Sequence, residues 1–67
     1  MTLEEVERKV QEIRDVAHYD EELAHVLEDR LFEDVLQAIA SGLVENPYAV
    51  ADAALGSLKI KFSRHCA

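Results

Sequence analysis

At 67 residues, with 14 acidic and 7 basic side chains and a formal charge of −7, the chain has the size of one small acidic domain. So short a chain has little room for a substrate pocket beside an independent scaffold, and so acidic a surface repels phosphate backbones rather than gathering them. The expected class is therefore a binding protein with no enzymatic activity, no cofactor and no direct contact with nucleic acid.

Thr2-Leu3-Glu4-Glu5 has the spacing of a capping box, in which the Thr2 hydroxyl accepts from the third helical amide and Glu5 reaches back to the Thr2 amide. A first helix is predicted from there. Leu3, Val6, Val10, Ile13 and Ala17 recur at spacings of three and four and form one narrow apolar stripe. Glu4 with Arg8 and Glu5 with Lys9 stand in the favourable order for i, i+4 pairs.

His18-Tyr19-Asp20 interrupts that period, and Asp20 is placed to cap a second, longer helix over about 20–41, with Glu21 and Glu22 in its first turn. Gly42 suits the left-handed closing position, with Leu43 able to fold back on the last turn. At 100° per residue, the apolar side chains from Leu23 to Ile39 cover an arc of about 220°. Leu27, Leu31, Phe32, Val35, Leu36 and Ile39 are the expected core or oligomer contacts of this helix, and so wide an arc asks for two or more neighbours.

Asn46-Pro47 marks a third start, with Asn as cap and Pro at the first helical position. The alanine-rich segment Tyr48 to Leu55 is expected to be largely buried and to be closed by Gly56. Leu58-Lys59-Ile60-Lys61-Phe62 alternates with period two, yet no other segment alternates to pair with it. Residues 57–67 are therefore expected to form a short helix or a docking arm on the second helix, with Phe62 as a contact. The fold expected is all-α, a single domain over 1–67 built as a small three- or four-helix bundle with a long central helix.

Charge is unevenly placed. Residues 1–34 hold twelve acidic and four basic side chains, net −8, whereas residues 35–67 are net +1. Glu22, Glu28, Asp29, Glu33 and Asp34 are the candidate acidic face, suited to a basic surface of a partner protein. A nucleic-acid mimic is the further alternative for the same carboxylates.

Glu21, His25 and Glu28 form a second candidate group. On the helical wheel they fall at about 160°, 200° and 140°, inside the apolar arc, at i, i+4 and i+7. Carboxylate and imidazole groups so spaced are the donors of divalent-metal sites in helical bundles, and His18, Asp29, His65 and Cys66 are available to complete a sphere. Helix one offers no matching ligand on its apolar stripe. The competing expectation places His25 at the boundary, hydrogen-bonded, with Glu21 and Glu28 reaching water.

The run Ile13-Arg14-Asp15-Val16-Ala17-His18-Tyr19-Asp20-Glu21-Glu22-Leu23-Ala24-His25, then Glu28-Asp29, then Asp34 to Gly42, and the ending Phe62-Ser63-Arg64-His65-Cys66-Ala67 together resemble small acidic proteins of actinobacteria and their bacteriophages. The resemblance spans about two-thirds of the chain and implies no catalytic residue, since that group has no assigned activity. It implies a packing role for position 65, here His65. For a bacteriophage source it also implies a short cytoplasmic protein that binds and alters a host protein.

At 49% hydrophobic residues the chain is composed as an ordered domain. Its longest apolar run, Pro47 to Ala51, is too short to span a bilayer, and the start lacks a signal peptide's basic and apolar regions. With a lone cysteine, a cytoplasmic location without membrane contact is expected. Folding would bury apolar surface yielding about 100 kcal/mol, and ordering the chain costs about the same. A second protomer, a dimer first, is the expected source of the missing margin.

Overall fold

Three side-chain oxygens set three helix starts. Thr2 Oγ1 accepts from the Glu5 amide at 3.2 Å, Asp20 Oδ1 from the Leu23 amide at 3.0 Å and Asn46 Oδ1 from the Ala49 amide at 3.1 Å. Each satisfies a donor that the first helical turn leaves unpaired. The computed structural model, described here for residues 1–64, accordingly has α1 (Leu3–Ala17), α2 (Glu21–Ala40) and α3 (Pro47–Leu55), followed by a 3₁₀ turn, η1 (Gly56–Lys59). The fold is all-α, and no strand occurs among the described residues. None of the helices is long and apolar enough to cross a membrane.

The end of α2 follows from Gly42, which takes φ 72°. That left-handed residue lets the Leu43 amide donate to Ala38 O at 2.9 Å and the Gly42 amide to Ile39 O at 3.1 Å, which satisfies two terminal carbonyls. The Leu43 side chain does not fold back as expected; it is 69% exposed.

Val6, Val10, Ile13 and Val16 of α1 meet Ala24, Leu31 and Val35 of α2 and Val50 and Ala54 of α3, with Ile60 closing the core. α1 packs against α2, α3 and η1, so it lies at the middle of the contacts although α2 is the longest helix. A 20-residue helix is about 30 Å long, which accounts for most of the 34 Å long axis. The shortest dimension, 14 Å, holds two layers of helices at the usual spacing of about 8–10 Å, and not three. For that reason the edges of the α2 arc stay open: Leu23 is 40% and Leu36 67% exposed.

Other expectations change locally. The Glu5 carboxylate accepts from the Thr2 hydroxyl at 3.4 Å instead of from the Thr2 amide. The Glu4–Arg8 and Glu5–Lys9 pairs do not reach salt-bridge distance; on α1, Arg14 donates to Gln11 at 2.9 Å and Gln11 to Asp15 at 2.9 Å. The buried stripe of α1 includes Val16 and leaves Leu3 exposed. Gly56 does close α3, as its C-cap in the right-handed region at φ −58°, and the chain tightens directly into η1. α3 buries one side only, with Tyr48 and Leu55 exposed on the other.

Of the segment 57–67, residues 57–59 belong to the 3₁₀ turn η1 and 60–64 follow as non-helical chain. The turn of η1 ends at Ile60, whose extended backbone starts an irregular segment to Arg64 that lies on α2. Residues 65–67, with His65 and Cys66 of the candidate metal sphere and the packing role implied for His65, fall outside the described residues.

Candidate functional site

The docking of the arm on α2 centres on Glu28. On the α2 wheel Glu28 lies at about 140°, between Val35 and Ile39 in the apolar arc, and its burial follows from that position. It is 2% exposed, so it belongs to the interior and not to the acidic face on which it was expected, nor does it reach water. A buried carboxylate is tolerated only with full pairing. Arg64 supplies it side-on, with Nε on Oε1 at 2.8 Å and Nη2 on Oε2 at 3.0 Å, and the Ser57 hydroxyl donates to Oε2 at 2.8 Å.

All three guanidinium nitrogens are engaged. Nη2 also donates to the carbonyls of Ser57 and Ile60 at 3.2 Å each, and Nη1 donates to Phe62 O at 3.3 Å. The charge sits 3.9 Å above the Phe62 ring centroid. The planar fork of arginine fits this set of acceptors, whereas a lysine ammonium would not span them. One residue thereby ties η1, the arm and α2 together, and the Ser63 amide adds a bond to Glu21 Oε2 at 2.9 Å.

Burial pushes the Glu28 carboxyl up. The hydrogen bonds from Arg64 and Ser57, the charge of Arg64 and, last, that of His25 together outweigh burial and hold it below the ordinary carboxylate range. Arg64 is raised, chiefly by its hydrogen bond to Glu28. A group whose folded pKa is depressed stabilises the fold above its unfolded pKa and loses that contribution as pH falls through the folded value. Glu28→Gln is therefore expected to be less stable at neutral pH and to flatten the acid limb of the stability curve. Urea midpoints from pH 7 down to 3 would measure both; an acid limb as steep as the parent's would contradict the assignment.

The other expected acidic residues do not share one surface. Glu22, Asp29 and Glu33 are exposed and fall within about 240–280° on the α2 wheel, a single row. Asp34 is exposed at about 20°, on the side turned to α1. There it lines a depression of about 230 Å³ with Lys9, Glu12 and Arg30, two cations and a second carboxylate. The candidate face thus reduces to Glu22, Asp29 and Glu33.

Beside that row lies an apolar groove between α2 and α3. Phe32, Val35, Leu36 and Ile39 form one wall, and Ala51, Ala54 and Leu55 the other, around about 370 Å³. Leu27, Phe32, Ile39 and Phe62 are half-buried against the core, and Leu31 and Val35 lie within it. Leu36 is not part of the core and projects at the groove's edge. The α3 wall was missed in the sequence, where the alanines signalled burial more than an open floor.

The candidate metal stripe is separated by these contacts. Glu28 is taken by Arg64 and Ser57 and one oxygen of Glu21 by Ser63, while His25 Nε2 lies 3.5 Å from Asp29 Oδ2. His25 Nδ1 is buried with no hydrogen-bond partner among the described residues. No group of three or more metal-ligating side chains comes together among the described residues.

Fold and site together define a small all-helical domain with an internal carboxylate–guanidinium latch and an acidic-edged apolar groove. Compared with known proteins, the chain matches no family model, no curated protein and no solved structure.

Proposed function

We propose that the chain is a small cytoplasmic interaction module, a three-helix bundle that binds a basic surface of a partner protein through the outer side of α2 and performs no catalysis. One observation carries this reading: Glu22, Asp29 and Glu33 form an exposed acidic row directly beside exposed Leu36 and the groove behind it. Carboxylates alone describe a solvated face; carboxylates bordering exposed apolar surface supply both the steering and the burial that a protein contact needs. The resemblance to actinobacterial and bacteriophage proteins adds a host protein as the natural class of partner.

Exposed Leu36 and Leu55 also support self-association as a second reading, with a dimer the simplest form. Sedimentation equilibrium separates the two, since a monomer across the working range removes it. For the main reading, Asp29→Lys combined with Glu33→Lys is expected to abolish salt-sensitive capture of basic proteins from a host lysate, with the melting temperature unchanged. Asp34→Lys, on the other side of α2, is expected to leave capture intact. Capture that survives the double reversal would overturn the acidic row as the binding surface.

A further inference from the structure

The groove has the dimensions and the border charges for one kind of occupant. Phe32, Leu36 and Ile39 stand at i, i+4 and i+7 and run about 10 Å along α2, two turns of helix. Across from them Ala51 is short, leaving a floor into which larger aliphatic side chains fit, and Leu55 forms the far lip. The lining contains no charged residue.

Outside the lining, both borders are acidic. Asp29 and Glu33 follow Leu36 around the outer side of α2, and Asp52, exposed, adjoins Ala51 on α3. The basic side chains Arg14, His18, Lys59 and Lys61 gather instead around a separate depression at the end of α1. A second copy of this chain packed groove to groove would bring acidic borders against acidic borders, which costs free energy. A segment with cations on both flanks of an apolar stripe gains from the same field.

Resting on the interaction reading above, we infer that the groove between α2 and α3 receives a basic amphipathic helix of the partner protein. Its apolar side chains, spaced i, i+3/4 and i+7, seat against Phe32, Leu36 and Ile39, and its Lys and Arg residues flank them to face Asp29, Glu33 and Asp52. A helix satisfies its own backbone in this setting, whereas the groove offers no sheet edge to an extended strand.

The probe is a designed, end-blocked peptide with leucines at i, i+4, i+7 and i+11 and lysines on both flanks. It is titrated against the intact chain by fluorescence anisotropy and amide chemical shifts, beside a control in which the lysines are glutamates. Saturable binding is expected, with shifts centred on Ile39, Ala51 and Leu55 and weakening at high salt. Leu36→Ser and Leu55→Ser, both at exposed positions, are each expected to weaken it about tenfold, the equivalent of about 1.4 kcal/mol, without changing the melting temperature.

Absence of saturable binding, or equal binding of the glutamate control, would overturn the inference. If Leu36→Ser binds as tightly as the parent while Asp29→Lys with Glu33→Lys does not, the acidic row stands and the groove falls. A dimer in sedimentation that Leu36→Ser dissociates would place a second copy in the groove and overturn the occupant inferred here.

Discussion

Replacing Arg64 with Ala is expected to lower the unfolding free energy by about 3–5 kcal/mol, the cost of leaving a buried charge without its partner. A domain of this length is held by roughly 0.05–0.15 kcal/mol per residue, so this one change removes much or all of its stability. The loss goes beyond two hydrogen bonds. Glu28 would be left with only the Ser57 hydroxyl to serve it, and the arm would lose what fixes Ser57, Ile60 and Phe62 in place. Arg64→Lys keeps the charge but not the fork, so it is expected to recover only part of the loss. The decisive comparison is Glu28→Leu with Arg64→Leu. Removing both charges is expected to recover part of the stability lost in Arg64→Ala, because no unpaired charge is left buried, while the Ser57 hydroxyl and the Ser57, Ile60 and Phe62 carbonyls still go without their partner. Urea unfolding of the four proteins at neutral pH reads this directly. A single Arg64→Ala variant as stable as the parent would mean that Glu28 reaches water and that the latch carries little.

Leu31→Ala is expected to cost about 2–5 kcal/mol, by lost burial and by the cavity left behind. Leu31 is 2% exposed and among the largest fully enclosed side chains, beside Ile13 and Val6 of α1. With only two layers of helices, few neighbours can move in to fill the gap. Leu36→Ala, one turn further along the same helix and 67% exposed, is expected to cost less than about 0.5 kcal/mol. The contrast in thermal melts separates two leucines that the sequence pattern places in one apolar set. Equal losses would show that Leu36 is covered in solution and would favour self-association.

The helix starts were legible because each rests on a local signal: Thr2, Asp20 and Asn46 cap amides only three residues away. The two-sided apolar arc of α2 was legible for the same reason, since periodicity is a property of consecutive residues. What α2 meets was not. Val35 lies at the middle of the arc and Leu36 at its edge, and it is the depth of the fold, two layers instead of three, that leaves the edge uncovered. Glu28 was the instructive case. Its wheel position placed it inside the arc, which already required a partner. Of the basic residues in the second half, Lys59, Lys61 and Arg64, only arginine carries the bidentate geometry such a carboxylate takes. The pair is 36 residues apart in the chain, and Ser57 joins it from a turn whose sequence alternates like a strand. Pairing across that distance is a tertiary fact, which neither capping nor period encodes. The acidic face shows the same limit: five carboxylates that look like one cluster along the chain divide among the interior, the α1 side and the outer side of α2.

The latch also makes the arm an obligatory part of the domain. Glu28 sits within the apolar arc of α2, and the cation that pairs with it comes 36 residues later. Without that pairing, water or a proton must stay with the carboxylate. Opening of the arm and hydration of Glu28 are therefore one event, and fraying from the arm's side is coupled to the interior of the bundle.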